Sequence, residues 1–380
     1  MKRTIGFDAK RVVHNRTGLG NYGRTLVHEL STQFHDTDLL LYAPDAGCDD
    51  LRESVEGLPN VRMVYPEGLR YQLQRDYWRS RSIIRDLQRD HIDLFHGLTG
   101  ELPNGIKKAG IPAVVTIHDL IFMRHPAYYK WLDAHIYAYK FRRACREADR
   151  IIAISECTKR DIIELGGVSP DRIDVIYQSC TPCFRSNATP EDQQAIRHRY
   201  ALPSRFILNV GTIEERKNVL LAAKALLRLP EDIGLVVIGK KMPYTECVQA
   251  FIEEHRLQRR VILLHDVSNA DLSVIYTMAE SFVFPSRYEG FGIPIIEAIN
   301  NGLPVVACTG SCLEETGGEH CLYVSPDDDE ALAAAIRQTL KGAEGRQQRI
   351  ALSQQYVRRF DGNIVAKQIQ EIYERVMVMR

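Results

Sequence analysis

The chain has 380 residues, 45% hydrophobic and 26% charged, and its 49 basic and 49 acidic side chains cancel to a formal net charge of zero. That length exceeds the roughly 250–300 residues at which one core stops growing, so two domains are expected, and the composition excludes disordered and membrane-spanning classes. Neutrality argues against a nucleic-acid binder, which needs a basic excess over phosphates, and leaves a small anionic substrate compatible.

The opening MKRTIGFDAKR meets Asp8 and Lys10 before any apolar run, and no later stretch reaches about eighteen apolar residues. A cytoplasmic protein is expected, with membrane contact at most peripheral. Thr4 to Asp8 reads as a buried strand, and a Gly-rich loop from Thr17 to Gly23 leads into a helix ending near Phe34. Strands follow at Leu39–Tyr42, Asp93–Phe95, Ala113–Ile117, Arg150–Ile154 and Asp174–Tyr177. Helices are expected near 71–89, 128–148 and 156–165, the last N-capped by Ser155.

Ser179 to Ser204 has three prolines and no sustained apolar strand, and reads as the inter-domain stretch. Alternation then restarts, with strands at 206–210, 235–238, 261–264, 281–284 and 304–307 separated by helices. Two such runs predict an α/β protein with two parallel sheets, each covered on both faces. The domains are placed at 1–185 and 186–362, with 363–380 a C-terminal helix able to pack back on the first.

Gly18-Leu-Gly20-Asn-Tyr-Gly23 matches the dinucleotide fingerprint, yet nine residues separate Gly18 from Asp8, where that motif needs its glycines in the tight turn itself. A loop whose amides approach a phosphate or sugar is the preferred reading; nicotinamide binding and a plain flexible loop are the alternatives. Gly211-Thr-Ile-Glu-Glu-Arg216-Lys217-Asn218 follows an apolar strand, and its adjacent cations suit a diphosphate, the Arg as a planar fork and the Lys as a point charge, with a solvated helix-start Arg-Lys pair as the alternative. Glu289-Gly-Phe-Gly-Ile-Pro-Ile-Ile-Glu297 leaves a strand, turns through two glycines and enters a helix, exposing backbone N–H groups as an anion site. Glu289 can reach a polar ligand there, and Glu297, among apolar neighbours, needs a partner such as a ribose diol.

His118-Asp119 ends a strand on the ligand side, where His118 is either a site residue or a satisfied structural histidine, and His96 has a similar setting with less support. Asp327-Asp328-Asp329 has the spacing of a metal-binding pair but precedes a helix it can cap, so no metal is expected. Cys180-Thr-Pro-Cys183 has redox spacing without a second pair and reads as structural. Arg70, Arg75, Arg79, Arg81, Arg85 and Arg89, among aromatic residues, form either a solvated helix face or a basic surface for anionic lipid.

In their order and spacing these segments resemble the retaining GT-B glycosyltransferases of family 4, especially bacterial polysaccharide mannosyltransferases, over nearly the whole chain. The resemblance implies two Rossmann-like domains facing each other across a cleft, and hexose transfer from a nucleotide-diphosphate sugar, GDP-mannose above others, to a glycan or lipid-linked saccharide. It assigns Arg216 and Lys217 to the diphosphate, Glu289 to donor-sugar hydroxyls and Glu297 to the ribose. The amides of Gly290, Phe291, Gly292 and Ile293 help place phosphate and sugar, His118 lies near the reacting sugar, and Gly18 and Gly20 approach the diphosphate. His118, Glu289 and Lys217 form the implied catalytic set, with no cofactor and no metal. The chain departs from the broader family at Thr212, where many members carry an additional Arg, and at Asp361-Gly362, in place of Ser-Trp before the last helix. A nucleotide-sugar 2-epimerase of the same architecture and an NAD-dependent oxidoreductase are the competing functions.

Overall fold

Strands covered on both faces need apolar side chains at successive positions, and Leu39–Leu41, Ala113–Val115 and Phe206–Leu208 provide them. In the computed structural model, which describes residues 3–68, 71–181, 184 and 188–378, these runs lie inside two parallel sheets. The chain divides into two compact units, Met1–Ser179 with Phe360–Arg380, and Cys180–Arg359.

The first unit holds β1 (Arg3–Asp8), β2 (Thr37–Tyr42), β3 (Val61–Val64), β4 (Leu94–Gly97), β5 (Ala113–Ile117), β6 (Arg150–Ala153) and β7 (Ile173–Val175). Their order is β3-β2-β1-β4-β5-β6-β7, every pair parallel. The second unit holds β8 (Arg205–Val210), β9 (Ile233–Ile238), β10 (Val261–Leu264), β11 (Ser281–Phe284), β12 (Val305–Cys308) and β13 (Leu322–Val324), ordered β10-β9-β8-β11-β12-β13. Strand order reverses beside β1 and beside β8, and ligands of open α/β sheets bind at such switch points, outside the carboxyl ends of the strands.

Three expectations change. The Thr17–Gly23 loop is instead the start of helix Gly18–Gln33: Thr17 is its extended N-cap residue, and a short helix, Lys10–His14, fills the gap after β1. The inter-domain stretch contains helix Pro190–Tyr200, whose capping box joins Thr189 to Asp192. Edge strands β3 and β13, four and three residues long, escaped the pattern because their side chains are mostly half-buried and alternate too briefly. Cys183 and Arg70 lie outside the described residues.

The C-terminal helix, Gly362–Val378, belongs to the first unit, where Val365, Ile369, Ile372 and Tyr373 join the core that holds helix Gly18–Gln33. Asp361 Oδ1 accepts the Asn363 N–H at 3.0 Å, and a Cβ at position 362 would stand 2.3 Å from Glu29 Oε1. The Asp-Gly pair therefore caps this helix and admits it against Glu29. Among the described residues no helix is long and apolar enough to cross a membrane.

Candidate active site

In the second unit β8 and β11 are neighbours, so the segments leaving their carboxyl ends meet at the switch point. After β8, Gly211 (φ 154°) turns the chain, a 3-10 turn spans Glu215–Lys217, and Asn218 (φ 56°) starts helix Val219–Leu226. Asn218 Nδ2 donates to the carbonyls of Pro285 (3.1 Å) and Pro326 (2.8 Å), fastening this turn to the chain leaving β11 and to the chain leaving β13. The Arg287 N–H donates to the Arg216 carbonyl at 2.8 Å.

This bracing brings three predicted residues together. Lys217 Nζ lies 2.5 Å from Glu289 Oε1, and Arg216 Nη1 lies 2.9 Å from Oε2. Arg216 also donates to the Tyr288 carbonyl (2.7 Å) and to Glu214 (2.6 Å), while the Lys217 ammonium sits 5.2 Å from the Phe284 ring centroid. Burial alone would raise the Glu289 carboxyl, but Lys217 and Arg216 hold it down at about 2. Glycine at 292 (φ 124°) lets the chain enter helix Ile293–Asn300, with Pro294 in its first turn.

Glu297 lies on that helix and has a different partner. Its Oε2 accepts from the Tyr276 hydroxyl at 2.9 Å, both groups buried. Burial pushes its carboxyl up to about 7, against the opposing pull of Tyr276.

The first unit contains His118, Gly18 and Gly20. Leu98 can only accept, so His118 Nε2 carries the proton and donates at 2.8 Å, and Nδ1 accepts from the Gln178 amide at 2.8 Å. Burial lowers its pKa to about 4, and the Tyr22 ring meets it edge-on at 4.7 Å. Gly18 and Gly20 form the first turn of a helix, and a Cβ at 20 would fall 1.8 Å from the Asn15 carbonyl oxygen. His96 is wholly buried, bonded to Thr116 (2.8 Å) and Tyr373 (2.6 Å), and belongs to the core.

Residues 16–179 match the model of glycosyltransferase family 4, and residues 192–355 match that of glycosyl transferases group 1. The chain belongs to the family 4 glycosyltransferases. It is 26% identical over 369 residues to O-antigen chain mannosyltransferase B of Escherichia coli, covering 90% of this chain and 92% of that one. Among solved structures it resembles sucrose-phosphate synthase of Thermosynechococcus elongatus (TM-score 0.81, 19% identity, all of both chains). It also resembles Anabaena HepE in complex with UDP-glucose (TM-score 0.76, 18% identity, 98% of this chain and 99% of that one). The fold is GT-B.

Three residues that support this glycosyltransferase site have no local sequence signal. Tyr276 reaches Glu297 from another helix, Asn269–Met278. Cys312 Sγ donates to the carbonyls of Glu289 (3.2 Å) and Phe291 (2.7 Å), and Thr316 Oγ1 donates to Phe291 at 2.9 Å, bracing the loop from behind. The Asp327–Asp329 run has structural partners: Asp328 accepts the Ala331 N–H at 2.8 Å, Asp327 pairs with Arg287 and Asp329 with Arg228.

Proposed function

We propose that this glycosyltransferase moves mannose from GDP-mannose to a hydroxyl of a glycan or lipid-linked saccharide, with retained anomeric configuration, in polysaccharide or lipopolysaccharide synthesis. The observation that carries the reading is the meeting of Arg216, Lys217 and Glu289 at the β8–β11 switch point. Two cations beside a glycine turn and a helix N-terminus suit a diphosphate, and they neutralise charge as it develops on the leaving group. The sugar specificity rests on the O-antigen mannosyltransferase relative, and the nucleotide-sugar class on the UDP-glucose complex of HepE.

In this reading the diphosphate takes Arg216 and Lys217, and Glu289 turns to donor-sugar hydroxyls. Glu297, steadied by Tyr276, holds the ribose. The amides from Gly290 to Ile293 and those opening helix Gly18–Gln33 serve phosphate and sugar. His118 acts as a neutral imidazole, since its lowered pKa and two occupied nitrogens make it a poor base near neutral pH. The departing diphosphate assists deprotonation of the acceptor, and the reaction needs no metal. A lipid-linked acceptor places the enzyme peripherally at the cytoplasmic face of a membrane.

A panel of nucleotide sugars, each with and without saccharide acceptors, tests the proposal. Mannosyl transfer from GDP-mannose, with an axial product linkage by NMR and full rate in EDTA, is expected. Epimerised donor without acceptor would replace it with the isomerase reading, and loss of activity in EDTA would remove the metal-independent mechanism.

A further inference from the structure

Helix Trp131–Glu147 has a solvent-facing side that its packing does not explain. A helix docked on a sheet buries one stripe and normally offers water a polar face. Here Ala134, Phe141, Ala144 and Cys145 form the buried stripe. At about 100° per residue, Trp131, Leu132, Ile136, Tyr139, Arg142 and Arg146 fall within an arc of about 140° on the opposite side. Trp131 is 73% exposed, Leu132 61%, Tyr139 60% and Ile136 41%, so this helix is apolar on two sides.

The charge on the outer arc has one sign. Arg142 and Arg146 continue it towards the C-terminus, both exposed, while Asp133 falls outside it. Glu147 turns its carboxylate to the backbone N–H groups of Gly105 (3.2 Å) and Lys107 (3.1 Å), which ties in a turn carrying exposed Lys107 and Lys108. The arginine-rich segment after Tyr71 is less suited, because Arg75 pairs with Asp45, Arg79 with Asp8 and Glu101, and Arg89 with Asp86 and Asp90. Glu101 also pairs with Lys140 at 3.1 Å, tying that segment to this helix. The exposed Leu73 and Tyr77 line a recess of about 340 Å³ there.

We propose that the outer arc of helix Trp131–Glu147 is the surface by which the protein lies on an anionic lipid bilayer. Trp131, Leu132, Ile136 and Tyr139 enter the headgroup region, and Arg142, Arg146, Lys107 and Lys108 meet lipid phosphates. Interfacial helices combine these components, with aromatic side chains at the water boundary and cations beside them. A second copy of the chain fits less well, because a symmetric interface sets the patch against itself and the arc has no acid to meet its cations. The inference deepens the peripheral placement proposed above, and rests on one helix of the first unit rather than on donor chemistry.

The test uses the full chain with phosphatidylcholine vesicles, with and without phosphatidylglycerol, read by co-sedimentation. The wild type is expected to bind the anionic vesicles and to be released by salt. Replacing both cations (Arg142→Gln with Arg146→Gln) should weaken partitioning by about thirtyfold, and Trp131→Ser with Ile136→Ser by at least about tenfold. Both variants should retain their melting temperatures and transfer to a water-soluble acceptor, so failure of this idea and failure of the transferase reading remain distinguishable. Absence of wild-type binding, or variants that partition like wild type, overturns it. So does a concentration-dependent dimer abolished by the same substitutions, which assigns the arc to self-association.

Discussion

Glu289 and Glu297 sit on one loop–helix segment, each 8% exposed, yet they ionise in opposite directions. The loop carboxylate meets two cations and is held at about 2, whereas the helix carboxylate meets a neutral hydroxyl and rises to about 7. Equal burial with unequal partners teaches that the partners, not depth, divide the roles: one group is a permanent anion, the other a carboxyl poised near neutrality.

The largest expected effect comes from breaking the first arrangement. Lys217→Ala should cut kcat by roughly 10²–10³, the scale of losing one transition-state charge partner, with circular dichroism unchanged. Wild-type turnover in that folded variant would remove Lys217 from the diphosphate site.

The second test reads the contrast as stability against pH. Glu289 has a folded pKa lowered from 4.5 to about 2, so its contribution is present above 4.5 and lost as pH falls towards 2. Glu297 is raised from 4.5 to about 7, so the folded state keeps a proton that the unfolded chain releases, and stability declines as pH rises between those values. Glu297→Gln should abolish that decline, gaining on the order of 3 kcal/mol over wild type between pH 4.5 and 7 in urea titrations. Parallel wild-type and variant curves across that window would contradict the raised carboxyl.

A third substitution sharpens the comparison through binding. Glu289 and a diphosphate compete for the same two cations, so Glu289→Gln should bind nucleoside diphosphate about tenfold tighter by calorimetry while transferring sugar more slowly. Weaker binding of the diphosphate would show that the carboxylate organises the cations instead of competing for them. The smallest effect belongs to an exposed carboxylate with a capping role: Asp328→Ala should cost about 1 kcal/mol in thermal denaturation and leave transfer unchanged.

Much of the fold was legible because strand–helix alternation is long-range and repeated, and the segment from Glu289 to Glu297 declared itself through its glycines and proline. Three glycines within six residues at Gly18–Gly23 misled, since each costs a helix about 1 kcal/mol relative to Ala. Close packing decides there: a Cβ at Gly20 would enter the Asn15 carbonyl, and one at Gly23 would stand 2.8 Å from Val12 Cγ2. The support by Tyr276 was not legible, because a residue on another helix becomes the partner of Glu297 only through packing. The bonds of His118 to Leu98 and Gln178 were hidden for the same reason, since they join three separate stretches of chain.

Placement of the C-terminal helix in the first unit bears on synthesis. Residues 1–179 leave the ribosome without Val365, Ile369 and Tyr373, and all of the second unit follows before those side chains arrive. His96 waits equally long for the Tyr373 hydroxyl. The second unit can therefore complete its core during translation, whereas the earlier-made unit must remain unfinished until helix Gly362–Val378 has followed the whole second unit out.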